Sequence, residues 1–230
     1  MRTLLTLALA ILWGGLGAQD TCTGPDNGAG STSLYPLGCG WVTETPMMII
    51  DGLPPGTTIM VQGKLTILGC PASLCNLTHP PTVCEVFGGG GGGGSIICFF
   101  GQWELTLTGT GSLAGYQRVL GLPVQGVIHA AARDPGIPLQ SFPGWISNLS
   151  GAIQGDPDFG LLELRAGGDF GLPSPGSNVL AQRPDGNWNV ESFFDITYRI
   201  DFQGNPGGAL SGYAGSSLGN AGIRMGVPPP

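Results

Sequence analysis

Residues 194–202 read Phe-Asp-Ile-Thr-Tyr-Arg-Ile-Asp-Phe, with an apolar side chain at every second position. Only a β-strand places alternate residues on opposite faces, so this pattern predicts a strand with one face on a core and one in water. The residues predicted to face the core are Phe194, Ile196, Tyr198, Ile200 and Phe202. Asp195, Thr197 and Arg199 are predicted to face water. The same alternation at 103–108 and 162–166 predicts two further half-buried strands.

Glycine and proline separate the apolar runs along the whole chain, with 43 Gly and 20 Pro among 230 residues. A hydrophobic content of 41% argues against disorder, so these residues indicate turns between short strands. Residues 51–56 (DGLPPG) and 183–187 (RPDGN) are typical turn sequences. No segment keeps a helical period over three turns, and 145–154 is expected to hold one helical turn at most. The predicted fold class is all-β: a single antiparallel β-sandwich-like domain with long Gly/Pro-rich loops, spanning residues 19–230.

The first 18 residues have the pattern of a secretory signal peptide. Arg2 is followed by the apolar run LLTLALAILW at 4–13 and then by the small residues Gly15, Gly17 and Ala18. Ten apolar residues are too few to span a bilayer. We therefore expect a secreted or periplasmic protein that does not stay in the membrane after its signal is cleaved.

The charge pattern argues against some classes of partner. The chain has a formal net charge of −7 and one lysine, Lys64, and its arginines are scattered singly. Such a chain lacks the basic stripe that tracks phosphates, so we expect no nucleic-acid partner. Binding to an anionic membrane surface is disfavoured for the same reason.

Six cysteines lie in the N-terminal half of the chain, and an even count in an exported protein predicts three disulfides. They are Cys22, Cys39, Cys70, Cys75, Cys84 and Cys98. Loop geometry favours Cys84–Cys98, because that bridge would clamp the seven glycines at 88–94 and contribute about 3 kcal/mol. Cys22–Cys39 and Cys70–Cys75 follow as the local pairs, although other connectivities stay open. The spacing does not match a four-cysteine zinc site.

The sequence carries no clear catalytic motif. His129, Asp134 and Ser141 could be arranged as a triad, but no nucleophile elbow accompanies them, and a structural histidine is the simpler interpretation. Glycoside hydrolysis needs two carboxyl groups across a cleft, and the acidic residues available for it are Asp156, Asp158 and Asp169. Asp156 and Asp158 flank a proline, which is more typical of a turn.

Two other residue sets could bind ligands. Trp41, Trp103, Trp145 and Trp188 could stack on sugars, but we interpret them as core residues. Asp185, Asn187 and Asn189 begin a calcium-loop pattern, which lacks the glycine and the glutamate that such a loop needs further on. A hairpin turn explains the same three residues. We therefore expect no catalytic residue, cofactor or metal ion.

Three stretches together resemble a family of uncharacterised exported bacterial proteins: 51–58 (DGLPPGTT), 168–176 (GDFGLPSPG) and 185–202. The resemblance covers most of residues 45–225. It implies export from a bacterium but no activity and no functional residues. The Cys/Gly-rich block at 70–98 looks like an elaboration on the family pattern.

Two classes of function remain. We expect a non-enzymatic exported β-scaffold that binds an extracellular polymer or protein, or copies of itself, through its loops. The alternative is a carbohydrate-active hydrolase that uses a carboxylate pair.

Overall fold

A computed structural model describes residues 22–70, 85–87 and 94–226. These residues form twelve β-strands and two short 3-10 turns, Gly111–Leu113 and Gly168–Phe170. The strands are β1 (Cys22–Gly24), β2 (Gly40–Thr43), β3 (Met47–Ile49), β4 (Ile59–Gly69), β5 (Glu85–Phe87), β6 (Ser95–Gly109), β7 (Gln117–Ala130), β8 (Leu139–Gln154), β9 (Phe159–Ala166), β10 (Pro175–Gln182), β11 (Trp188–Gly204) and β12 (Ala214–Gly226). Among them, no helix combines the length and the apolar character that a membrane span requires. The predicted signal peptide lies outside the described residues.

The strands form one antiparallel sheet that closes on itself. The pairing runs β2–β4–β6–β7–β8, continues through β9 and β10 to β11 and β12, and returns from β12 to β2. The prediction of an all-β antiparallel fold is confirmed. Because the hydrogen bonding is continuous, the packed faces that we expected of a sandwich belong here to a single sheet. Closure gives the sheet an inside and an outside.

One strand position of the ring is interrupted. Both β9 and β10 pair with β8 on one side and β11 on the other, one after the other along the same line. Between them, residues 167–174 leave the sheet and form the second 3-10 turn. Next to this interruption, β8 pairs with β7 in a register that shifts between Val127 and Ile128. A gap in one strand therefore lies near an irregularity in its neighbour.

The pattern that predicted β11 is confirmed. Its five predicted core residues are at most 3% exposed, and Asp195 and Arg199 are exposed, with Thr197 half-buried. The strands predicted at 103–108 and 162–166 lie in β6 and β9 with their apolar residues inwards. The predicted turns are also present: Gly52, Gly56 and Gly186 adopt positive φ. The alternation of apolar residues and the turn residues therefore predicted these strands and turns correctly.

The one helical turn that the sequence allowed within 145–154 is not formed. These residues belong to β8, which extends from Leu139 to Gln154. Glycine and proline interrupt its apolar pattern, and the register shift near Ser147 changes which residues face inwards. Both features hide the period of two that identifies a strand.

The inside of the closed sheet is a packed apolar core. Trp41, Trp103 and Trp188 are no more than 1% exposed, so the core interpretation is confirmed for these three. The ring of Trp41 lies 5.7 Å from that of Phe99 and 6.2 Å from that of Phe194. A small cavity between the aliphatic side chains near Leu105 has a volume of only about 10 Å³. That is room for one water at most, so this part of the core does not accommodate a ligand.

Residues 25–38 cover one end of this core. Leu34 and Tyr35 are buried there, and the Tyr35 hydroxyl donates a hydrogen bond to Asn178 Oδ1 at 2.5 Å. The Arg133 guanidinium donates to the carbonyl oxygen of Thr32 at 2.6 Å. The predicted Cys22–Cys39 disulfide is present at the base of this segment, with its Cα atoms 5.9 Å apart. The segment is thus held to the sheet at both of its ends.

The other predicted disulfides are only partly described. Cys70 and Cys98 are both disulfide-bonded. Their predicted partners, Cys75 and Cys84, lie outside the described residues. The glycine run at 88–94 also falls outside them, except for Gly94.

We expect removal of the Cys22–Cys39 bridge to destabilise the fold. The two cysteines are 17 residues apart. Closing a loop of this size restricts the unfolded chain, so the double variant Cys22→Ala/Cys39→Ala should lose about 3 kcal/mol. Urea unfolding measures the loss, with the exposed substitution Thr23→Ala as control. A loss below about 0.5 kcal/mol would show that the covering segment does not depend on the bridge.

Asp26 should make the stability of the same segment pH-dependent. Its carboxylate accepts hydrogen bonds from Trp188 Nε1 at 2.8 Å and from the Gly28 N–H at 2.7 Å, and these bonds lower the pKa of Asp26 below its ordinary value of 3.8. A lowered folded-state pKa stabilises above that ordinary value, and the stabilisation is lost as the pH falls through the folded-state pKa. Asp26→Asn should therefore lower the Tm near pH 7, and the difference from the parent should shrink towards about pH 2. Thermal melts across this range test the expectation; an equal difference at all pH values contradicts it.

Candidate functional site

Charged side chains are unevenly distributed over the outside of the closed sheet. Strands β8 and β10 contain no Asp, Glu, Lys or Arg, and β7 contains only Arg118, which points towards Asp156 and Asp158 at one end of the sheet. We call the outer surface of β7, β8 and β10, with the adjoining Ile96 and Phe100 of β6, the uncharged face. The chain has 23 Lys, Arg, Asp and Glu residues. Only one of them, Arg118, lies on these three strands, and this makes the face chemically distinct.

The charged residues of the sheet lie on the other strands of the ring, from β9 next to β8 round to β6 next to β7, and most of them are paired. Arg165 contacts Glu163 on β9 at 2.6 Å, and Arg199 contacts Asp201 on β11 at 2.9 Å. Arg224 on β12 is paired with Glu44. Exposed pairs of this kind contribute little to stability, but they keep this side of the protein well hydrated.

An aromatic pair lies on the uncharged face, with Trp145 exposed and His129 half-buried. His129 and Trp145 lie directly opposite each other on β7 and β8, with ring centroids 5.0 Å apart and planes 4° from parallel. In the sheet register, Ile96 on β6 lies next to His129, and Pro175 on β10 lies next to Trp145. We call these four residues the aromatic row. The four residues lie side by side on four neighbouring strands.

Trp145 corrects the core interpretation of the tryptophans. It is 47% exposed, whereas Phe142 and Ile146 on the same strand are buried. Its position in β8 gives it the outward orientation, and sequence analysis missed this because β8 was not identified as a strand. The sequence does contain one sign of this uncharged surface: residues 139–154 include no charged residue.

A groove lies further along the same strands. It has a volume of about 390 Å³ and is lined mainly by Phe100, Pro123, Gln125, Ser150 and Glu163. Phe100, Gln125, Ser150 and Arg165 are successive partners in the sheet register. We call this feature the polar groove, after the amide, hydroxyl and carboxylate groups that border its mostly apolar floor. Gln125 and His129 are four residues apart on β7, so the groove and the aromatic row are separated by about 13 Å.

The acidic residues considered for hydrolysis do not form a catalytic pair. Asp156 and Asp158 are brought together, but both bind the guanidinium of Arg118, each at 2.7 Å. Tyr116 also donates to Asp158 at 3.3 Å, and burial, followed by the nearby Asp158 charge, raises the pKa of Tyr116. Asp169 lies on the 3-10 turn between β9 and β10. The Asp-Pro-Asp turn is therefore an ion-paired closure of one end of the sheet.

A second carboxylate pair was not found from the sequence. Glu163 and Asp201 are direct cross-strand partners, and so are Arg165 and Arg199. Burial opposes ionisation of Asp201, but hydrogen bonds from Arg199 and Ser216 lower its pKa. A general acid must keep its proton near neutral pH, and this environment does the opposite. The four residues form an alternating network of charges.

The remaining candidates have structural partners. No hydrogen bond joins His129 to Asp134 or Ser141 within the described residues, and the His129 ring stacks on Trp145 instead. The favoured hairpin interpretation holds for 183–187: Asp185 Oδ1 accepts the Asn187 N–H at 3.0 Å. Asn189 Oδ1 accepts from Arg183 at 3.4 Å. In the described part of the chain, no group of three His, Cys, Asp or Glu residues is placed to hold a metal ion.

Comparison with known proteins shows no relationship: the chain matches no family model, no curated protein and no solved structure. The resemblance to exported bacterial proteins stays a prediction.

Loss of Arg118 should destabilise the protein. Asp156 and Asp158 side chains are 12% and 13% exposed, so Arg118→Met would leave two adjacent carboxylates without their cation. Because Arg118 is 28% exposed, we expect a loss of about 2–3 kcal/mol rather than the larger cost of a fully buried pair.

Urea unfolding tests this expectation with two controls. Adding Asp156→Asn and Asp158→Asn to Arg118→Met should recover part of the loss, because the repulsion disappears. Arg183→Met, at an exposed pair, should change stability by less than about 0.5 kcal/mol. If Arg118→Met costs no more than Arg183→Met, the end of the sheet is not held by these ions.

Proposed function

We propose that the protein is a non-enzymatic exported scaffold that binds an extracellular polymer through its uncharged face. The observation that carries this proposal is the exposed aromatic row on a face without charged residues. Exposed aromatic side chains on a rigid sheet bind ligands at low entropic cost, because their positions are already fixed. The predicted signal peptide and the disulfides support export.

The closed sheet favours recognition by side chains over self-association by strand pairing. In a closed sheet, most strand edges are already hydrogen-bonded to a neighbouring strand, so another chain cannot pair with them. Among the described residues, β1, β3 and β5 pair on one side only, and each is three residues long. A partner that docks by adding a strand would find little backbone there.

The hydrolase alternative has weaker support. A glycosidase needs two carboxyl groups facing one cleft. The polar groove is lined by one carboxylate, Glu163, and this residue is paired with Arg165. Asp156 and Asp158 are engaged by Arg118 elsewhere. The groove is therefore better suited to holding a ligand than to cleaving it.

Binding to a panel of insoluble polymers, including cellulose, chitin, mannan and peptidoglycan, tests the proposal. We expect retention on at least one polymer and at least a tenfold loss of affinity in Trp145→Ala, because the ring that stacks on the ligand is removed. Leu218→Ala is the matched control, since Leu218 is 67% exposed on β12, away from the uncharged face. Equal binding by the two variants, or retention on no polymer, contradicts the proposal. Hydrolysis products in the supernatant would favour the enzyme instead.

A further inference from the structure

We infer that the polar groove is a sugar-binding subsite, and that the ligand of the uncharged face is a neutral polysaccharide segment that spans the groove and the aromatic row. This inference rests on the proposed function and names its ligand class. It follows from the chemistry of the groove, the charges around it and its distance from Trp145.

The groove combines an apolar wall with several hydrogen-bonding side chains. Phe100 is 45% exposed and lies beside Pro123, which provides surface for the C–H face of a sugar ring. Gln125 pairs with Phe100 in the register, and its amide can both donate and accept. Ser150 on the next strand donates its hydroxyl proton to Asn148 Oδ1 at 3.2 Å, and its oxygen can still accept from a ligand. Sugar rings present apolar faces and hydroxyl edges together, so this combination suits them.

Glu163 adds an acceptor whose position is fixed. Arg165 donates from Nε at 2.9 Å and from a terminal nitrogen at 2.6 Å, and both bonds reach Oε1 of Glu163. Within the described residues, Oε2 accepts no hydrogen bond. A carboxylate oxygen held in this way can accept from a sugar hydroxyl without first losing side-chain freedom.

The charge distribution selects a neutral ligand over an acidic one. No lysine or arginine lies on the uncharged face, and the one guanidinium beside the groove, Arg165, is already paired with Glu163. The protein as a whole carries a net charge of −7. A uronate- or sulfate-bearing chain would find no free cation here and would be repelled by the protein.

The separation of the two sites predicts a dependence on ligand length. A single sugar ring cannot reach across about 13 Å, whereas an oligosaccharide of several units can. Engaging the second site within one ligand raises affinity without a second loss of translational freedom. Short oligosaccharides should therefore bind weakly, and affinity should rise once both sites are spanned.

The test measures affinity for neutral gluco-, xylo- and manno-oligosaccharides of one to about six units by isothermal titration calorimetry. We expect at least a tenfold gain between the shortest and the longest ligand of the preferred series. Gln125→Ala and Glu163→Gln should each remove most of that gain and leave binding of short ligands almost unchanged. Arg199→Gln, on the charged side of the ring, is the control and should behave like the parent.

Each alternative outcome has a definite meaning. If Trp145→Ala weakens polymer retention but the groove variants bind long oligosaccharides like the parent, the inference is overturned and the proposed function stands. Stronger binding of polygalacturonate than of neutral chains also overturns it, as does no binding of any oligosaccharide. A parent dimer that Trp145→Ala dissociates in sedimentation would show that the face joins two copies of the chain. Circular dichroism of each variant shows that a loss of binding is not a loss of fold.

Discussion

The short strand β2 closes the sheet, and much of the structure depends on it. It joins β12 through four residue pairs and β4 through three. Gly40 lets it approach β4, because a Cβ there would overlap the Leu65 carbonyl oxygen. Trp41 then inserts into the core between Tyr35, Phe99 and Phe194. Cys39 immediately precedes β2, and its disulfide ties this junction to β1 and so to β11. A few backbone hydrogen bonds are thus supported by a large buried ring and a covalent link.

Closure also determines where functional groups can lie. Since the interior is filled by side chains, ligand recognition is left to the outer surface, the two ends and the loops. One end is covered by residues 25–38, and the other is occupied by Arg118 with Asp156 and Asp158. The outer surface is divided into a side of paired charges and the uncharged face. The second of these combines the exposed ring of Trp145 with the hydrogen-bonding side chains of Gln125 and Ser150.

The sequence predicts those parts of the structure that depend on local patterns. The strand at 194–202, the turns at 51–56 and 183–187 and the Cys22–Cys39 pair could be identified because each depends on neighbouring residues. Closure of the sheet could not, since it depends on the register between β12 and β2, which are far apart in the chain. The site was missed for a related reason: Trp145 and Gln125 become neighbours of one surface only when β7 and β8 pair around an irregular register.

The interruption between β9 and β10 gives the ring a point of local weakness. Residues 167–174 leave the sheet, and Gly167 passes so close to the Ser147 carbonyl that a side chain there would clash. This gap lies beside the register shift of β7 and β8, so the regular ladder of backbone hydrogen bonds is interrupted there. Amide protons bordering the gap should exchange with solvent through small local openings. Amide protons in the middle of β6 and β11 should exchange only when the whole domain unfolds. The gap also offers a place where the chain can be lengthened without changing the number of strands in the ring.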